Sequence, residues 1–108
     1  MLLFKLEHVD AIKRGRKTQT RRRGARRWNV GTVHQARLHR FGSPVAYLEI
    51  ISVAREPLGD ITTTDAWREG YNNIAAFRDA WQRINGAWDA AEQVWVVTFR
   101  AVRKPRSA

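Results

Sequence analysis

Residues 15–27 read GRKTQTRRRGARR. Within this run Lys17 and Thr20 are the side chains that could do covalent chemistry. A threonine hydroxyl becomes a useful nucleophile only when a base takes its proton. A lysine can be that base if its pKa falls well below its ordinary ~10.4. Arg16, Arg21 and Arg22 flank Lys17, and nearby positive charge moves a lysine in that direction, as does burial. Geometry adds a condition. Residues three apart on an ideal strand point to opposite faces, so the chain must turn or bulge between Lys17 and Thr20 if both are to face one cleft. A plainer reading makes Lys17 a solvated phosphate contact and Thr20 a strand residue with a buried methyl, because a lone K-x-x-T recurs by chance.

The arginines speak more directly. Arg14, Arg16, Arg21, Arg22, Arg23, Arg26 and Arg27 form a dense basic arm with few acids nearby. Such an arm neutralises phosphates and makes binding fall steeply with salt. The formal net charge of +10 and the pI of about 11.4 point the same way, to RNA, nucleotides or another polyanion. Trp28, beside the arm, can stack on a base. Trp67 and Tyr71 flank Glu69 and are candidates for the same pocket. Trp81 falls on a helical apolar stripe and reads as core, while the pattern assigns neither Trp88 nor Trp95.

These side chains need a scaffold. LLFKLEH reads as a first strand and VDAIKRG as a short helix that Gly15 stops. KTQTRRR then runs extended, and GARRWNVG is a loop. Residues 32–41 and 45–55 read as two strands joined by GSP. The second has apolar residues on both faces and ends at Pro57. DITTTDAWREGY is a short helix capped by Thr62 or Thr63 and ended by Gly70. NNIAAFRDAWQRING is the strongest helix, with Ile74, Phe77, Trp81 and Ile84 on one stripe, Asn72 or Asn73 at its start and Asn85-Gly86 at its end. QVWVVTFRAV is a last strand. The order implies an α+β domain with a mixed or antiparallel sheet curled toward a small barrel.

At 108 residues the chain suits one domain, expected over 1–103 with a basic tail at 104–108. The absence of cysteine excludes disulfides and cysteine-based zinc sites. His8, His34 and His39 do not form a metal-ligand set, and neither H-E-x-x-H nor a zinc-deaminase signature occurs. No metal and no cofactor is required. No apolar run approaches the ~20 residues that span a bilayer, and MLLF followed by Lys5 and Glu7 is not a signal peptide. A soluble cytoplasmic protein without a membrane partner is the expectation. Whether it is a monomer or a dimer is not legible.

RGRKTQTRRR, followed by PLGDIT and DAWREGY, then FRDAWQRINGAW and a closing VWVVTF, resembles the ASCH domain. The similarity runs from about Leu3 to Val102, and the order of the blocks carries it. The resemblance implies a PUA-like fold: a small β-barrel with helices packed across it and a cleft beside them. It also implies a tie to RNA. Some members are expected to bind RNA, a few have been described as ribonucleases, and a small-sized branch hydrolyses the exocyclic amide of N4-acetylcytidine and related N4-acylated cytosines. That branch uses a lysine, a threonine three residues later and a glutamate at the end of the helix after the central strands. Lys17, Thr20 and Glu69 occupy the matching positions, and Arg22 falls on the family's arginine after the threonine. Arg21, Arg23, Arg26 and Arg27 and the tryptophan-rich second half are departures.

Amide hydrolysis needs an activated nucleophile and a proton for the departing amine. On this resemblance Thr20 is the nucleophile or positions it, Lys17 activates it and Glu69 carries the proton. Glu69 activating water directly is an equally sound chemistry. Non-catalytic RNA binding and metal-independent RNA cleavage in the same cleft are the alternatives. Glu69 also has a bland role open to it, as an offset to the arginines.

Overall fold

The computed structural model describes residues 1–106, so the last two residues of the basic tail lie outside it. Five strands form one sheet: β1 (Leu2–Leu3), β2 (Gln19–Arg22), β3 (Val33–Arg37), β4 (Ala46–Pro57) and β5 (Gln93–Val102). Their spatial order is β1-β3-β4-β5-β2. Only β1 and β3 pair in parallel, and the other neighbours are antiparallel. Three α-helices accompany the sheet: α1 (Val9–Lys13), α2 (Thr63–Arg68) and α3 (Ile74–Asn85). The sheet curls into a half-barrel. Its two edge strands do not pair, yet the Arg22 guanidinium on β2 donates to the Leu3 carbonyl on β1 at 2.8 Å, so a side chain bridges the seam.

The expected first strand is cut short. Phe4 still donates its N–H to Arg37 O, but Leu6–His8 coil into a 3-10 turn that leads into α1. The curl then turns His8 inward while Leu6 stays exposed. Gly15, with φ +75°, ends the helical segment as expected. β4 is longer than its sequence pattern implied and carries an irregularity between Ile50 and Ser52. Leu48 and Ile50 face the core before it, Ile51 is exposed within it and Val53 faces the core after it. This phase shift lets one long strand keep apolar residues on the concave face as the sheet bends.

Two clusters fill the interior. One lies inside the half-barrel, with Leu2, Phe4, Ile12, Trp28, Leu48, Ile50, Val97 and Phe99. The other joins α2 and α3 to the start of β5, with Leu58, Ile61, Ala66, Phe77, Trp81 and Val94. On α3 the buried stripe is Phe77, Ala80 and Trp81. Ile74 and Ile84, at the ends of the expected stripe, stay partly in solvent. Asn73 caps α3 by accepting from the Ala76 N–H at 2.8 Å. Asn73→Ala is expected to lower stability by about 1 kcal/mol, or roughly 5 °C in Tm, read by thermal unfolding. Thr62 caps α2 in a capping box with Asp65.

Candidate active site

The candidate trio is assembled by three local devices. After α1 the backbone N–H groups of Arg16 and Lys17 both donate to the Ala11 carbonyl. That tight turn directs Lys17 inward before β2 begins at Gln19. This turn precedes Lys17, and the Lys17 ammonium meets Glu69 and not the Thr20 hydroxyl. Thr18 then ties the segment down, donating to Arg68 O at the end of α2 and accepting from Phe99 N–H of β5. Lastly, Glu69 follows α2 three residues after the buried Ala66, so both lie on the inward side of that helix.

All three side chains are removed from solvent: Lys17 is 3%, Thr20 5% and Glu69 3% exposed. Lys17 Nζ donates to the Glu69 backbone carbonyl at 2.6 Å and lies 3.4 Å from the Glu69 carboxylate. Burial drives the Lys17 pKa below its ordinary value. Glu69 opposes the shift, and the Arg22 and Arg21 charges reinforce it. The Thr20 hydroxyl accepts from Arg22 Nε at 3.0 Å, not from Lys17. Thr20 and Glu69 both line a cavity of about 350 Å³. Lys17 is absent from its lining and reaches it through Glu69.

The cavity sits at the seam between the two apolar clusters. Phe4 supplies one wall from the half-barrel, and Phe77 and Trp81 supply another from α3. Tyr71, His8, Arg21, Arg22, Arg23, Lys5 and Asn85 are also in its lining. The Tyr71 hydroxyl lies 2.9 Å from His8 Nε2. Burial, with Lys17 and Arg22 nearby, lowers the His8 pKa to about 4. Burial, with Glu7 and Glu69 nearby, raises the Tyr71 pKa to about 12. Both groups are therefore neutral near pH 7. Trp81 Nε1 is buried without an acceptor among the described residues.

The arginines separate into different tasks. Arg21 is not available to phosphate. Its side chain is 1% exposed and pairs with Glu69 at 3.0 Å, Glu56 at 2.8 Å and Asp65 at 3.4 Å. Alternation along β2 turns Gln19 and Arg21 to the opposite face from Thr20 and Arg22, where α2 and the end of β4 supply these carboxylates. Arg16 packs over the Trp67 ring at 3.8 Å and donates to Asn72 Oδ1. Arg26 donates to the Trp28 carbonyl. Arg23 pairs with Glu92 through two nitrogens. Arg22, Arg23 and Arg27, with Arg40 and His34, line a broader cleft of about 660 Å³ next to the first cavity.

Two aromatic expectations are corrected. Trp28 lies in the core cluster with Leu2 and Phe4 and is 6% exposed, so most of its ring packs, while the remainder borders the broader cleft beside Arg22, Arg23 and Arg27. Trp67 precedes Glu69 by two residues, which sends it to the outer side of α2, where it is 51% exposed. Tyr71 does line the cavity. Sequence reasoning missed His8, which it weighed only as a metal ligand, and the double use of Phe77 and Trp81 as both core and cavity wall. A helical apolar stripe looks the same in either role. Among the described residues no group of three His, Asp or Glu side chains could hold a metal ion, and no helix is long and apolar enough to cross a membrane.

No protein-family model and no curated protein sequence matches the chain. Solved structures do share its fold. An ASCH domain from Lactobacillus crispatus JV V101 superposes with a TM-score of 0.68 at 18% identity, over 86% of this chain and 69% of that one. Protein EF3133 from Enterococcus faecalis V583 gives 0.69 at 15% identity, over 94% and 74%. A mutant ASCH protein from Zymomonas mobilis gives 0.64 at 18% identity, over 94% and 70%. The chain thus has the ASCH-domain fold that its block order implied.

Proposed function

We propose that the protein is an amidohydrolase that cleaves the exocyclic N4-acyl amide of N4-acetylcytidine or a related N4-acylated cytosine nucleoside or nucleotide. One observation carries the reading: Thr20 and Glu69, the latter paired with the buried Lys17, line one aromatic-walled cavity large enough for a pyrimidine. The flat base lies between Phe4 and the Phe77–Trp81 wall, with its acyl group toward Thr20. Thr20 Oγ1 attacks the acyl carbon and gives up its proton to the base formed by Lys17 and Glu69. Arg22 Nε, already directed at Thr20 Oγ1, favours the ionised form of that hydroxyl as its proton leaves. The proton passes to the departing N4, releasing cytidine, and water then hydrolyses the acyl-threonine to the carboxylate. Glu69 drawing the proton from a water that attacks directly gives the same products with Thr20 as a positioning group.

The test is incubation of purified protein with N4-acetylcytidine in the presence of chelator, following cytidine by chromatography. Cytidine release supports the reading, and its absence removes it. The pH profile probes Lys17. A neutral amine is the competent base, and its pKa is lowered by burial. We therefore expect kcat/KM to rise with pH and level off well below 10.5. A rise that continues to pH 10 would mean that no depressed lysine is involved.

A second reading, polynucleotide binding without chemistry, is favoured by the broader cleft. Arg22, Arg23, Arg27 and Arg40 line it, with no acidic residue in its lining among the described residues. That reading gives salt-sensitive binding to single-stranded RNA, weakened in Arg27→Ala/Arg40→Ala and indifferent to Thr20→Ala. Cleavage of that RNA in chelator would instead indicate the ribonuclease alternative.

A further inference from the structure

We propose that the Tyr71 hydroxyl, oriented by His8, donates a hydrogen bond to the acceptor edge of a cytosine base and so selects cytosine over uracil. This inference rests on the reading of the cavity as a pyrimidine site. It concerns recognition, not cleavage.

The contacts of the His8 ring favour one placement of its proton. A neutral histidine carries one ring N–H, and its partners decide where it sits. A Cβ built on Gly70 would come within 3.1 Å of His8 Nδ1. Gly70 also has φ +100°, so glycine is required twice over. Nδ1 has no hydrogen-bond partner among the described residues while Nε2 has the Tyr71 oxygen, and the tautomer with its proton on Nε2 gives that N–H an acceptor within the protein. Nε2 is 2.9 Å from the Tyr71 oxygen and therefore donates to it. The tyrosine oxygen is engaged as an acceptor, and its own proton is directed elsewhere. Tyr71 packs edge-on against both His8 and Phe77, which holds its ring. His8 and Tyr71 stay neutral near pH 7, so the pair presents one donor to the cavity.

Cytosine meets that donor with two acceptors side by side, N3 and the C2 carbonyl. The C2 carbonyl is common to both bases, so the discrimination requires Tyr71 to be set against position 3, where cytosine offers a lone pair and uracil an N–H. A buried donor left unpaired, or set against another donor, discriminates strongly. Sequence spacing hid this pair, because the partners are 63 residues apart.

The experiment is calorimetric titration with cytidine and with uridine, run beside the N4-acetylcytidine assay. Wild type is expected to bind cytidine at least about tenfold more tightly than uridine. Tyr71→Phe should bring the ratio below about threefold, since the donor is gone. His8→Phe should do the same by freeing the tyrosine hydroxyl to act as donor or acceptor. His8→Gln, which can still donate to Tyr71, should keep most of the preference. A preference that survives in both Tyr71→Phe and His8→Phe overturns the inference, as does a wild type that binds neither nucleoside or both alike. Preference for cytidine without turnover would sustain this inference while removing the amidohydrolase reading. Turnover with an unchanged preference in Tyr71→Phe would do the reverse.

Discussion

Arg21→Met is expected to cost about 3–5 kcal/mol of stability, the usual penalty for removing one partner of a buried ionic cluster. For a domain of this size that is a Tm loss of roughly 15–30 °C, measured by thermal unfolding. Arg21 stands at the centre of three carboxylates, and only its side chain reaches all three. Lys17 still compensates Glu69 after the substitution, so the damage falls mainly on Glu56 and Asp65. Asp65 is also held ionised by Thr62 and Arg21, which outweigh its partial burial and keep its pKa below the ordinary value. A neutral partner should therefore recover part of the loss: Arg21→Met/Glu56→Gln is expected to be more stable than Arg21→Met alone. A fall of less than about 1 kcal/mol in the single variant would place Arg21 among weakly coupled surface charges and contradict this account of the fold.

The same residue shows what a linear sequence hides. GRKTQTRRRGARR reads as one basic arm because charge is all that is visible along it. In the structure this run contains the edge strand β2, and its pleat splits the run. Arg21 turns to carboxylates 35 and 48 residues away, and Arg22 turns to Thr20 and the β1 seam. No apolar alternation exists within this strand to set which face is which. The last strand was the opposite case. QVWVVTFRAV is dense in β-branched and aromatic residues, and β5 has its limits. α3 was legible from its Asn73 cap and its stripe, although the stripe did not reveal that Phe77 and Trp81 also wall a cavity. Trp28 was misread for a physical reason. Its arginine neighbours suggest a surface, whereas most of the indole packs into the cluster with Leu2 and Phe4 while Arg26 and Arg27 stay exposed.

The second large effect concerns the candidate chemistry. Lys17→Ala and Thr20→Ala are each expected to lower kcat/KM on N4-acetylcytidine by about 10²–10⁴-fold, the range for removing a proton-transfer group or nucleophile. Thr20→Ala deletes a small side chain on β2 while the Val97 pairing remains, so the fold should survive, and near-native thermal unfolding checks this. Lys17→Ala leaves Glu69 paired with Arg21, which limits its structural cost. The two losses should not add in the double variant, because residues that act as one unit fail together. Glu69 is a poorer probe, since its removal frees Lys17 and Arg21 at once.

The most direct measurement is the initial rate of cytidine appearance from N4-acetylcytidine with wild type, Lys17→Ala and Thr20→Ala side by side. The account predicts turnover by the wild type and a collapse in both variants while each remains folded. An inert wild type, or variants that keep its rate, would contradict it.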